Sequence, residues 1–411
     1  NSPGHNFPEA PMMFNSPDNA RPKINSPSPV TAVPDELIAE VLSLLKVKSL
    51  LRLKCVSKSW NKLISDPFFV KIHFHKSSLN TDLTLFSAHH TGKSTYTQLT
   101  VYPVHTLLEN NSTTSIVTVI RRFFSNEYHQ VVGSCNGLCC LMEEYSNTEF
   151  REFSFRLCNP ATKSLSHKLG YFRIQPNNPN SLFKFSFGYD NLTAKYKVVA
   201  FSPNEVRVFT LGDNNVWRNI PNFPIYPFNL IRSGQDGGLY VSNCLIWFAD
   251  RTRLFNGHSA YLDLEQFVII SLNLGAETYA ELLPPQDFDG EFLYLPNVCL
   301  LMECLCFSHH SNGNNIVIWQ MRDFGVQESW TKLFNFSYPD FFQDPISYLG
   351  CCGELWPLYV LENGNILILA NGEGQVIRYN RRDNRIDPIR ISNTRSWFYV
   401  HRYVESLVSI C

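Results

Sequence analysis

The sequence predicts a mainly β protein of about six repeated sheets, preceded by a small α-helical unit, and three observations carry that reading. Apolar residues at helical spacing are confined to a stretch near residues 33–76. From about Leu83 onward, short Val, Ile, Phe and Tyr runs alternate with Asn-Gly, Gly-Asp and Pro punctuation, as strands alternate with turns. Those runs also recur: "DLTLFSA" opens at 82, "NGLCCL" at 136, "FSFGYD" at 185, "NCLIWF" at 243, "ECLCFS" at 303 and "NGNILIL" at 363. Successive openings lie 54, 49, 58, 60 and 60 residues apart. A period of that size with several strands per unit fits a β-propeller of the kelch size class with about six blades. Two stacked sandwiches would not keep the spacing so even.

Residues 1–30 repeat "NSP" three times, opening at Asn1, Asn15 and Asn25, and are rich in proline, so a disordered segment is expected there. Its Ser-Pro pairs at Ser16, Ser26 and Ser28 read as linker before they read as modification sites. The first residue is Asn rather than Met, and the natural start is expected upstream.

Residues 31–76 form the helical unit. Pro34 suits a first helical position, and Asp35, Glu36 and Glu40 favour the positive end of a helix dipole. Leu37, Ile38, Val41, Leu42 and Leu45 then recur at helical spacing. Ser49 is expected to cap a second short helix carrying Leu50, Leu51, Leu53 and Val56, and Ser57 a third carrying Trp60, Leu63 and Ile64. Asp66-Pro67 opens a fourth. Residues 80–411 are assigned to the propeller, whose last strand-like run, 396–409, is expected to pair near the start of the β region, because an open ring would expose strand edges.

With 44% hydrophobic and 14% aromatic residues in 411, the chain is a folded protein. A formal net charge of -1 supplies no general attraction to nucleic acid or to an anionic membrane, and no apolar run approaches the length of a membrane span. Neither partner is expected. The first thirty residues lack the apolar core of a secretory signal, so the 12 cysteines read as reduced thiols in the cytoplasm and/or nucleus. Several, such as Cys139, Cys140, Cys304 and Cys306, lie in apolar runs and are expected to be buried. Cys351-Cys352 and His309-His310 are adjacent pairs, which rarely close a tetrahedral site, and no C-x-x-C is matched by a second, so no metal is assigned.

Catalytic motifs are equally thin. "HTGKST" at 90–95 ends like a phosphate loop but has Ser87 where the first glycine belongs. Asp287, Asp289 and Glu291 in "PPQDFDGEF" fall short of a calcium loop, and a turn between blades accounts for them. No G-x-S-x-G is present, so no catalytic residue and no cofactor is assigned. Trp247, Trp356 and Trp397 are read as blade core rather than a sugar platform.

The segment "VPDELIAEVLSLLKVKSLLRLKCVSKSWNKLISDPFF" resembles the F-box of plant F-box proteins. The β region resembles the F-box-associated, kelch-type domain that follows it, through "GSCNGLCCL" (133–141), "CNPATKS" (158–164), "GYDNLTAKYKVV" (188–199), "WRNI" (217–220), "IWQMRDFGVQESWTKL" (318–333) and "YVESLVS" (403–409). Val33 stands where the family usually has leucine, and Lys46 where a second proline is common; both keep the motif. The resemblance implies a non-catalytic substrate-recognition subunit of a Skp-cullin-F-box ubiquitin ligase. It would bind the Skp adaptor, and through it cullin and RING subunits, with Pro34, Leu37, Ile38, Val41, Leu42, Leu45, Leu50, Leu51, Cys55, Val56, Trp60 and Leu63, and a target protein with the propeller. Seven Lys and Arg against four Asp and Glu in 34–75 suit an acidic partner surface. The target-binding residues have no sequence signature. The alternatives are an adaptor-binding scaffold or lectin that directs no degradation, and, further off, a propeller hydrolase.

Overall fold

The computed structural model describes residues 34–79, 84–90, 96–103, 112–113, 118–124, 128–175, 183–213, 216–227, 238–251, 267–286, 296–311, 315–337, 355–361, 364–371, 376–391 and 399–410. The expected disordered segment, the Asp287 to Glu291 turn, Cys351-Cys352 and Trp397 lie outside the described residues.

Four helices come first: α1 (Asp35–Leu42), α2 (Val47–Leu53), α3 (Lys58–Ser65) and α4 (Pro67–Leu79). Ser57 caps α3 by accepting the Trp60 amide at 3.2 Å, and Asp66 caps α4 by accepting those of Phe68 and Phe69 at 2.8 and 3.3 Å. Ser49 does not cap α2; the helix opens two residues earlier, at Val47, behind an extended Lys46. Leu42, Val47, Leu50, Ile64 and Phe69 fill the interior between the helices.

Among the described residues the β region forms six sheets in chain order, the blades of one propeller. Blade 1 takes its innermost strand from the far end of the chain: Tyr399–Tyr403 lies antiparallel to Thr84–His90, followed outward by Tyr96–Pro103 and Thr118–Phe124. Blade 2 runs outward from Tyr128–Cys135 through Leu138–Ser146 to Arg151–Asn159, which pairs with both Ser164–Leu165 and Leu169–Ile174. The inner strands of blades 3 to 6 are Lys184–Asp190, Leu239–Val241, Asn297–Leu301 and Leu355–Val360. All six inner strands meet their neighbours around the axis, the last touching the first, so the ring is closed. Five of the repeated sequence cores are second strands; "FSFGYD" is the inner strand of blade 3. Blade 6 gains a fifth strand, Ser112–Thr113, parallel to its outer strand Arg385–Ile391.

Apolar side chains fill the wedges between blades. Phe153, Phe155, Phe185 and Phe209 pack between blades 2 and 3, Phe201, Trp247 and Ile270 between 3 and 4, Phe248, Phe307 and Trp319 between 4 and 5, and Ile318, Phe334 and Leu369 between 5 and 6. Trp247 and Trp356 are buried, as blade-core residues should be. Cys139, Cys140 and Cys306 are buried free thiols, and Cys304 is half-buried. His309 and His310 are also interior, on the second strand of blade 5.

Candidate protein-interaction site

The turns that join first to second strands mark one end of the ring. Among the described residues, three of these turns have two successive left-handed residues: Asn136 (φ 48°) with Gly137 (φ 74°), Ser242 (48°) with Asn243 (67°), and Met302 (52°) with Glu303 (62°). Such turns match the twist of the strands they join. The helical unit sits on this end. Phe74 and Ser78 of α4 face Ser134, Asn136, Gly137, Tyr240, Ser242 and Glu303 across a cavity of about 350 Å³.

Residues 404–410 leave the inner strand of blade 1 and run between ring and helices. Leu407 enters the helical core beside Leu42, Leu50 and Ile64. Asn159 is fully buried, and its amide donates to the carbonyls of Ser406 at 3.0 Å and Val408 at 2.9 Å. Glu405 accepts the Val47 amide at 3.4 Å. A β-carbon on Gly137 would collide with Ser406, which explains a glycine there beyond its positive φ.

The helical unit thus has a core, a ring-facing side and an outer side. The exposed apolar side chains of the unit are Leu37 (57% exposed), Val41 (62%), Leu44 (62%), Val56 (65%) and Phe68 (72%), with Pro34 and Cys55 also exposed. Leu37 and Val41, at i and i+4, share one face of α1, and Leu44 is exposed in the turn that follows. Four exposed cations, Lys48, Arg52, Lys58 and Lys62, lie on α2 and α3. Of the residues singled out from sequence, Ile38, Leu45, Leu51, Trp60 and Leu63 are half-buried. Leu42 and Leu50 are interior, where they support the face rather than form it, because their side of each helix is covered by the other helices and by Leu407. Sequence reasoning missed Leu44 and Phe68. The spacing from Leu37 names Leu44, but it lies just beyond the last helical residue; Phe68 follows the Asp66-Pro67 start and has no periodic signal.

Internal bonds hold this face in place. His73 on α4 is buried and its Nε2 donates to the Leu45 carbonyl at 2.9 Å, tying α4 to the α1–α2 turn; burial lowers its pKa, keeping the ring neutral. Lys76 on α4 pairs with Glu40 on α1. An exposed apolar face that remains after the unit has filled its own core is a candidate contact surface.

At the opposite end of the ring, the second strand of blade 2 carries exposed Tyr145 just before its turn to the third. Asn147 accepts the Glu149 and Phe150 amides at 2.9 and 2.8 Å, fixing the turn. The Arg173 guanidinium lies 3.9 Å above the Phe150 ring.

Two family models match this chain between residues 30 and 246. Residues 30–75 match the F-box-like family and residues 58–246 the F-box associated beta propeller domain. An F-box/kelch-repeat protein of Arabidopsis thaliana is 28% identical over 315 residues, covering 74% of this chain and 79% of that protein. The F-box protein CPR1 of the same plant is 25% identical over 411 residues, covering 93% and 90%. With helices and ring in the family's order, the chain belongs to the plant F-box proteins that carry a C-terminal F-box-associated β-propeller.

Proposed function

We propose that the chain is the substrate-recognition subunit of a Skp-cullin-F-box ubiquitin ligase in the cytoplasm and/or nucleus. The outer side of the helices binds the Skp adaptor, with Leu37, Val41, Leu44, Val56 and Phe68 as the apolar contact and the α2–α3 cations at its rim. The end of the ring away from the helices binds the target. The chain supplies position rather than chemistry: a target held near a charged ubiquitin-conjugating enzyme reacts at an effective concentration of roughly millimolar or above. The single observation that carries this reading is the face of Leu37, Val41 and Leu44, left exposed by a unit whose core is already filled.

Target turnover tests it. Proteins captured by the intact chain under proteasome inhibition are identified by mass spectrometry, and their half-lives are followed after synthesis is blocked. Intact chain should shorten the half-life of a true target. A chain with Leu37→Asp and Val41→Asp should bind that target and lengthen its half-life by occupying it. If the intact chain, restored to cells lacking the native copy, binds the target and leaves its half-life unchanged, the chain is a scaffold that directs no degradation.

A further inference from the structure

We infer that residues 404–410 are a strut that sets the orientation of the F-box helices on the propeller, with Leu407 and Asn159 as its positioning residues. The consequence for ubiquitin transfer rests on the function proposed above; the strut itself rests on contacts in this chain.

The segment has no regular secondary structure, and its successive side chains serve two bodies. Leu407 is buried among α1, α2 and α3 as a member of their core. Its neighbours turn to the ring: Ser406 has no exposed surface and packs on the Asn136-Gly137 turn, and Val408 and Ile410 rest on the apolar wedge between blades 2 and 3. Asn159 is the ring's grip. Its amide holds two strut carbonyls, while its Oδ1 accepts the Ala161 and Thr162 amides at 3.0 and 3.3 Å, so the side chain is fixed by its own turn before it reaches the strut. Ala161 completes the contact, packing beside the helical core and donating its amide to the Tyr403 hydroxyl at 3.0 Å. On the helical side, Glu405 holds the Val47 amide.

The arrangement has two features that a simple linker lacks. The strut continues directly from Tyr399–Tyr403, the strand that closes the ring, so ring closure and helix docking depend on one stretch of chain. It also approaches the helices from the far end of the sequence, so that the helical unit is held both by its own link into blade 1 and by Leu407. Two attachments to one body remove the swing that a single attachment leaves. The adaptor-binding face and the far end of the ring are therefore held at one fixed relation, which is the geometry that decides which target lysine reaches the ubiquitin-conjugating enzyme.

The test measures that relation in the full chain, with spin labels carried on unnatural amino acids at Lys71 on α4 and at Val216 on blade 3, both exposed. Pulsed electron resonance should give one narrow distance in the wild type. Leu407→Ala should lose the narrow peak and give a broad distribution, Leu407→Met should keep it, and hydrogen exchange on α1 to α4 should show the helices still folded. Should Leu407→Ala cost the helices their fold, Asn159→Ala leaves the helical core whole and releases only the ring's grip, with the same broadening expected. A single narrow distance in a folded Leu407→Ala or Asn159→Ala chain overturns the strut. Broadening in variants whose helices keep their exchange protection, beside a wild type that binds no adaptor, would retain the strut and reject the ligase reading, so the two failures are distinguishable.

Discussion

Asp190 has no exposed side-chain surface, and its carboxylate lies 3.0 Å from the Lys197 ammonium, itself nearly enclosed. Lys197 also donates to the Leu274 carbonyl at 2.6 Å and to Glu277 at 3.2 Å, and Arg218 closes the group by bonding both Glu277 oxygens. The cluster clamps blade 3 to blade 4. Removing one partner leaves a buried charge uncompensated, so Asp190→Ala should lower stability by about 3–5 kcal/mol in denaturant unfolding. Burial alone would raise the Asp190 pKa, but hydrogen bonds from Thr193, Lys197 and Leu192 bring it below the ordinary 3.8. Its contribution is therefore present above that value and lost as pH falls through the depressed folded pKa. His310 acts in a higher window. Burial first, and His309 beside it second, lower its pKa from 6.5 to about 4. Between those values the unfolded chain binds the proton and the folded chain does not, so stability should fall by on the order of a few kcal/mol as pH drops from about 6.5 to 4. His310→Gln should remove that part of the slope in a series of melting curves; an unchanged slope would show that other groups produce it. "GYDNLTAKYKVV" contains both Asp190 and Lys197, yet the clamp was not legible there, because Glu277 lies eighty residues further on and only the ring brings it near.

At the scale of the element, the helices separate two jobs that the sequence runs together. Periodicity marked Leu37 and Leu50 alike as apolar face, and both were legible as structural leucines. It could not tell which face another layer would cover, because that depends on the packing of four short helices and on Leu407, arriving from the far end of the chain. The two should part under mutation. Leu50→Ala empties a fully buried site and should destabilise the helical unit by about 2–5 kcal/mol. Leu37→Asp changes an exposed site, and its effect on folding should stay within about 0.5 kcal/mol. Hydrogen exchange on α1 to α3 reads the difference: faster exchange in Leu50→Ala and wild-type protection in Leu37→Asp. Equal loss of protection would place Leu37 in the core.

At the scale of the whole molecule, the ring was the most legible feature, since every blade repeats the same burial demand and so leaves a period in the sequence. The pairing of 396–409 with the start of the β region was legible for the same reason: Tyr399–Tyr403 lies against Thr84–His90 and leaves no open inner edge. The parallel strand Ser112–Thr113 on blade 6 left no local signal, being two residues whose partner is set by where the ring closes. The end on which the helices dock was not legible either, because it depends on side chains from four blades meeting α4 across the axis. The resulting molecule presents two faces at opposite ends, and the helical one is the proposed adaptor interface. Titration of purified Skp adaptor against wild type, Leu37→Asp with Val41→Asp, and Phe68→Asp, each verified as folded, tests it most directly. Loss of an apolar anchor at an interface centre costs about 2 kcal/mol or more, so binding should weaken at least about thirtyfold in the double variant and measurably in Phe68→Asp. Wild-type affinity in a folded double variant, or no adaptor binding by the wild type, would contradict the account.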